Sequence, residues 1–253
     1  MLSPFVIGIG GGTGSGKTYV TDMLCRKCAD GGVAVLNQDS YYRDRSGRSE
    51  EERRSPNYYH PSAIDHDLLL DHLGQLLSGS AVGRPCYCFT THSRRSEVEL
   101  VNPAPVILVE GIFALWDPRL RARMDLKIYV DADPGLRFIR RLRKDVGERG
   151  RTLHSVFRQY QDSVRPMHEA FIQPTKAYAD FVIDNSGSLE NLATLLKGLT
   201  TEIQPGGTVD DETLGDLARL SPEEHYPPPT FTNRVAKVAS IEILPSVSEA
   251  KQS

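Results

Sequence analysis

Cysteine, tryptophan and charge of one sign are all scarce in this chain. Its 253 residues include four cysteines and one tryptophan. So few cysteines exclude the disulfide-dense scaffold of small secreted domains. They fall in two separate pairs, Cys25 with Cys28 on a helix-like run and Cys86 with Cys88 on an extended one. Ordinary reduced thiols are the reading. Acidic and basic residues nearly cancel, 33 against 30, for a net charge of −3. That balance supplies no general surface for nucleic acid or for an anionic membrane. No run approaches the roughly 18 apolar residues of a membrane-spanning helix. The first residues enter a strand-like run at once and leave no room for a secretion signal, so the expected location is the cytoplasm.

Glycine, by contrast, is concentrated where it carries meaning. Gly11, Gly12, Thr13, Gly14, Ser15, Gly16, Lys17 and Thr18 fit the phosphate-loop pattern G-x-x-x-x-G-K-[ST] without a mismatch. The backbone of such a loop wraps phosphate oxygens closely, so side chains are mostly absent. Lys17 brings a point charge to the β and γ phosphates, and the Thr18 hydroxyl suits a magnesium ion. The apolar run Phe5–Ile9 precedes the loop and the helix-like run from Tyr19 follows it, which would seat the phosphates on a helix N-terminus. The bound molecule is therefore expected to be a nucleoside triphosphate.

Five short apolar runs read as buried parallel strands: Phe5–Ile9, Val33–Leu36, Val106–Val109, Lys127–Val130 and Phe181–Ile183. Helix-compatible segments between several of them predict an α/β fold with a doubly wound, mostly parallel five-stranded sheet. Residues 41–105 break that rhythm and read as a substrate-binding insertion. It holds one helical segment, about Asp65–Leu77, and two extended runs, Pro85–Thr91 and Val98–Val101. An arginine-rich helix at about Pro134–Asp145 and another at about Leu153–Met167 flank the loop Arg149-Gly150-Arg151, so that about 137–160 is either a solvated helical face or a helical lid. After residue 203 the composition changes, with eight acidic and four basic residues and Pro/Gly-rich stretches. Residues 204–253 are expected to form a disordered tail, with a short helix at Asp211–Leu220 as the exception.

In phosphate-loop proteins, strand ends deliver carboxylates to the phosphates. Asp39 follows the second apolar run and Glu110 the third. One can deprotonate an acceptor hydroxyl, and either can hold magnesium. The basic cluster Arg137, Arg140, Arg141, Arg143, Lys144, Arg149 and Arg151 is either a solvated helix face or an arginine-bearing lid over the transferring phosphoryl group. Tyr58, Tyr59 and His60, with Tyr87, Phe89 and His92, suit stacking on a flat heterocycle as well as plain packing.

Taken together, these motifs resemble the uridine–cytidine kinases over about residues 4–200. The resemblance rests on Gly11–Thr18, Gln38-Asp39-Ser40-Tyr41-Tyr42, His60-Pro61-Ser62-Ala63-Ile64-Asp65 and Tyr87-Cys88-Phe89-Thr90-Thr91-His92-Ser93-Arg94. It continues through Glu110-Gly111-Ile112, Arg140-Arg141, Asp145-Val146-Gly147-Glu148-Arg149-Gly150-Arg151, Gln159-Tyr160 and Pro174–Asp180. It implies a phosphate-loop kinase domain over 1–203 that moves the γ-phosphoryl of ATP to the 5′-hydroxyl of uridine or cytidine. On that footing Asp39 is the base, Lys17 and the lid residue Arg149 serve catalysis, and Thr18, Asp39 and Glu110 surround Mg²⁺. Tyr87 and His92 read the pyrimidine, and Tyr42, Arg141, Arg151 and Gln159 line the nucleoside and phosphate path. Homo-oligomers, tetramers in particular, are implied in the same way. One departure matters: the family's aspartate before His-Pro, which binds the ribose hydroxyls, is Tyr59 here. Two alternatives stay open: a kinase for another nucleoside or small hydroxyl acceptor, and a nucleotide-binding regulatory paralogue with weak turnover.

Overall fold

The computed structural model describes residues 3–27 and 32–187. Cys28, the tail and the helix expected at Asp211–Leu220 lie outside them. Strand β1 (Phe5–Gly10) leads through the phosphate loop into helix α1 (Lys17–Lys27), and β2 (Val33–Asn37) follows. Next come α2 (Glu50–Arg54), α3 (His66–Leu77) and two strands, β3 (Val82–Cys88) and β4 (Ser93–Val101). The chain then runs β5 (Val106–Glu110), α4 (Pro118–Arg121), β6 (Leu126–Asp131), α5 (Pro134–Gly147), α6 (Leu153–Gln159), α7 (Arg165–Met167) and β7 (Phe181–Asp184).

All five expected strands pair in parallel, in the order β2-β5-β1-β6-β7. The alternation of side chains along each strand divides the core. Ile7, Ile9, Leu108, Ile128 and Val130 pack on α1 through Val20 and Leu24. Val6, Ile107, Val109, Tyr129 and Val182 face the opposite layer, with Phe113, Leu115 and α3. A sheet buried on both faces explains why each strand reads as a continuous apolar run.

The insertion differs from expectation in two ways. Its extended runs are the arms of an antiparallel hairpin, β3–β4, wider than expected, with a register shift between Pro85 and Tyr87. It also holds the unexpected α2, where Ser49 and Glu52 form a capping box. The predicted helix Leu153–Met167 is also altered. After Gln159 the chain widens into π-helical turns at Tyr160–Val164 and His168–Ile172, on either side of α7. Pro166 sits between them. It has no N–H to donate, and its ring would meet the carbonyl four residues back, so the ordinary helical ladder cannot run through it.

Candidate active site

The loop after β1 turns through left-handed backbone. Gly14 has φ +75°, and a Cβ there would lie 2.2 Å from the carbonyl oxygen of Arg137. Only glycine lets the loop rest on α5 at that point. Lys17 opens α1 and donates from Nζ to the Gly12 carbonyl at 3.0 Å. Burial lowers the pKa of its ammonium, and Glu110 and Asp39 pull it back up.

The two carboxylates come from neighbouring strands. Glu110 ends β5 in register with Asn37 at the end of β2. Asp39 lies two residues on, in a 3₁₀ turn over Gln38–Tyr41, where its N–H donates to Asn37 Oδ1 at 2.9 Å. Gln38 ties the same strand ends by accepting the Phe113 N–H at 2.8 Å. Both acids therefore stand at the carboxyl ends of parallel strands, where ligands of open α/β sheets bind. Burial pushes Glu110 up to about 7, against the pull of Lys17. Burial also raises Asp39, opposed by Lys17, Arg149 and Lys144.

Two clefts meet here. One, of about 260 Å³, is lined by Thr13, Gly14, Gly16, Lys17, Thr18, Asp39 and Glu110. Gly11, Gly12 and Ser15 do not line it; they are buried beneath and shape the loop. Arg140, Lys144 and Asp145 of α5 line this cleft too. Arg140 Nη1 is buried with no hydrogen-bond partner among the described residues, so a cationic donor in a phosphate-sized space lacks an acceptor. Thr18, Asp39 and Glu110 offer a hydroxyl and two carboxylates, the hard oxygen set that magnesium takes alongside nucleotide phosphates.

The second cleft, of about 400 Å³, holds every residue expected for the acceptor: Tyr42, Tyr59, Tyr87, His92, Arg141, Arg151 and Gln159. Arg149 lines both clefts, and so does Arg141. Tyr58 and Phe89 belong to the wall as well. His92 stacks on Tyr58 with centroids 4.7 Å apart, and Tyr42 packs on Tyr87 at 5.0 Å. Burial and the nearby Arg54, Arg151 and Arg53 lower the His92 pKa, which leaves the imidazole neutral at pH 7. Tyr59 turns its phenol to accept from Arg141 Nη1, and its ring lies 5.1 Å from that guanidinium. No carboxylate lines this second cleft among the described residues.

Arg140, Lys144, Tyr58 and Phe89, named from the sequence only within the basic cluster and the aromatic runs and given no individual role, thus line the clefts as well. Their signal was positional: Arg140 precedes Arg141, Lys144 lies one helical turn on, and Phe89 shares the hairpin tip with Tyr87.

A family model, Phosphoribulokinase / Uridine kinase family, matches residues 6–190. A uridine kinase of Deinococcus deserti is 51% identical over 195 residues, covering 77% of this chain and 94% of its own length. A uridine kinase of Halalkalibacterium halodurans is 46% identical over 203 residues, covering 79% of this chain and 96% of its own length. Among solved structures, phosphoribulokinase from Rhodobacter spheroides superposes with a TM-score of 0.57 at 16% identity, covering 72% of this chain and 70% of the other. That likeness speaks for the fold.

Proposed function

The chain belongs to the phosphoribulokinase/uridine kinase family, and on that premise we propose that it phosphorylates the 5′-hydroxyl of uridine and cytidine with ATP. The observation that carries this reading is the junction of the clefts. A phosphate loop on one side and an aromatic cleft on the other share Arg141 and Arg149. A γ-phosphoryl seated over Lys17 would face a hydroxyl presented from the aromatic side.

Asp39 lines the nucleotide cleft within electrostatic reach of Arg149 and of Tyr42 in the acceptor cleft, and would accept the hydroxyl proton. The burial that raises its pKa makes it a stronger base once ionised. Lys17, Arg140, Lys144 and Arg149 converge from two helices and a loop on the space where phosphoryl charge would spread. Thr18, Asp39 and Glu110 would hold Mg²⁺, which when bound supplies charge neutralisation at the phosphates. Tyr87, Tyr58 and His92 form an apolar, neutral wall for a pyrimidine, and Gln159 supplies an amide at its edge.

A second reading has its own support. With Tyr59 engaged by Arg141 and no carboxylate among the described residues lining the acceptor cleft, a ribose diol lacks a strong acceptor among them. A different hydroxyl acceptor would explain that. The deciding experiment is ATP consumption across a panel of nucleosides and sugars, with no-acceptor controls. Turnover highest with uridine or cytidine supports the main reading; turnover confined to another acceptor replaces it.

A further inference from the structure

One carboxylate at the cleft junction has no place in the reaction as described, yet it holds the residues that do. Asp145 lies in the last turn of α5 with its side chain 1% exposed. Its Oδ1 accepts from Arg149 Nη1 at 2.8 Å. Its Oδ2 forms an ion pair with Arg141 Nη2 at 3.0 Å and accepts from Arg151 Nη1 at 3.3 Å. Its backbone carbonyl takes the N–H of Arg151 at 3.0 Å. Three hydrogen bonds and an ion pair therefore end on one residue.

The fold is built to bring them there. Arg141 and Arg149 flank Asp145 at four residues on either side. Arg151 reaches it only because the chain reverses at Gly150, whose φ is +63°. Gln159 of α6 ties the far side, accepting from Arg141 Nη2 at 2.9 Å and also from Arg151 Nη1. Three guanidiniums and one carboxylate leave an array with two surplus positive charges between the nucleotide cleft and the acceptor cleft. Arg149 extends from it to lie 4.9 Å from the ring of Phe89 at the hairpin tip. Without the shared anion, three like charges at hydrogen-bond range of one point would repel one another apart.

We infer that Asp145 is a positioning residue: its buried carboxylate fixes Arg141, Arg149 and Arg151 in one array and acts on phosphoryl transfer only through them. The inference rests on the kinase reading above. A displacement of about 1 Å in a group that meets the transition state can cost on the order of a hundredfold in rate. Asp145→Asn keeps the side-chain shape and removes the charge that gathers the arginines. Its expected effect is a fall in kcat of about tenfold to a hundredfold, with KM for ATP changed by less than about threefold.

The test is a pair of double-mutant cycles in the full-length chain, Asp145→Asn with Arg149→Ala and with Arg151→Ala, assayed with ATP and uridine. If Asp145 acts through the arginines, its loss costs several-fold less in either arginine background than in the wild type. Fully additive losses in both cycles overturn the inference, as does an Asp145→Asn enzyme with wild-type or higher kcat. Should Asp145→Asn not fold, Asp145→Glu keeps the charge on a longer arm. A folded Asp145→Glu protein with normal thermal midpoint and lowered kcat supports the inference, and one with unchanged kcat overturns it. If the wild type does not phosphorylate uridine, the uridine reading fails, and the same cycles are read on binding of ADP with magnesium and aluminium fluoride. There the inference expects Asp145→Asn to weaken the fluoride complex relative to ADP alone; equal weakening overturns it.

Discussion

At the scale of single residues, three side chains have roles that one substitution can separate. Asp39 contributes a carboxylate whose proton affinity is raised by burial and restrained by Lys17. Replacing it by asparagine keeps its size and removes the proposed base, so turnover should fall roughly 100-fold or more while ATP still binds. Steady-state turnover beside ATP titration checks this; lost ATP affinity with intact turnover per complex would make Asp39 a metal or structural residue. Glu110 makes a prediction in pH. Its folded pKa of about 7 lies above the ordinary 4.5. The stability contributed by protonated Glu110 is thus fully present below about pH 4.5 and is lost as pH rises through about 7. Glu110→Gln stays neutral throughout. The nucleotide-free variant should melt several degrees higher than wild type at pH 8, with the gap closing toward pH 4.5, while its magnesium-dependent turnover falls. A gap that is constant with pH would show that Glu110 does not titrate there.

Tyr59 is the residue where resemblance and structure meet most sharply. The phenol spans the cleft to Arg141, which a shorter aspartate side chain would not do in the same way. Tyr59→Asp would leave a carboxylate beside the space for a ribose, able to accept from both hydroxyls. A charge-assisted hydrogen bond is worth about 1.5–3 kcal/mol, so KM for uridine should drop by roughly tenfold. Discrimination against 2′-deoxy and 3′-deoxy analogues should increase with it. If neither quantity moves, residue 59 does not face the sugar.

At the scale of elements, what the sequence made legible depended on how local the determinants are. The five strands were readable because both sheet faces are buried, so each needs only a run such as Val106–Val109. The phosphate loop was readable because its glycines and Lys17 are contiguous. Asp39 and Glu110 followed from those strands, since an acid just after a buried parallel strand lands at the sheet's carboxyl edge. The π-helical turns were not readable, because they arise from the way Pro166 interrupts a ladder that otherwise has helical periodicity. Helix α2 did carry a signal, the Ser49–Glu52 capping box. The role of Asp145 was hidden for another reason: an acid among arginines at helical spacing looks like an ordinary solvated face. Only burial and the turn at Gly150 separate it from one.

That turn gives an element-level prediction. A Cβ at Gly150 would meet nothing within 4 Å, so Gly150→Ala has no steric obstacle. Its cost is conformational, about 1–2 kcal/mol for an L-residue at positive φ. A loop that relaxes to avoid this moves Arg149 and Arg151 together. Turnover should fall by about tenfold while the thermal midpoint shifts by only a few degrees. Unchanged turnover would show that the loop reaches its working geometry without the left-handed turn.

At the scale of the whole molecule, every group assigned to catalysis lies between Gly11 and Gln159, and the last strand of the sheet closes at Asp184. That strand is needed: Asn185, just beyond it, donates to the Ser15 carbonyl at 2.8 Å and so supports the phosphate loop from the far edge of the sheet. Among the described residues no helix is long and apolar enough to cross a membrane. The family match stops at residue 190. Residues 204–253 are rich in proline and acids, a composition that buries little apolar surface. If that segment contributes nothing to the sheet or to either cleft, a chain ending at Ile203 keeps both. Its thermal midpoint should then stay within about 3 °C of the full chain, and its uridine turnover within about twofold. Calorimetry and a steady-state assay on the two proteins decide it. A large loss of stability with kcat retained would mean that the segment packs on the domain away from the clefts. A large loss of turnover with stability retained would mean that it reaches the acceptor cleft, the wider of the two and the one walled by the hairpin.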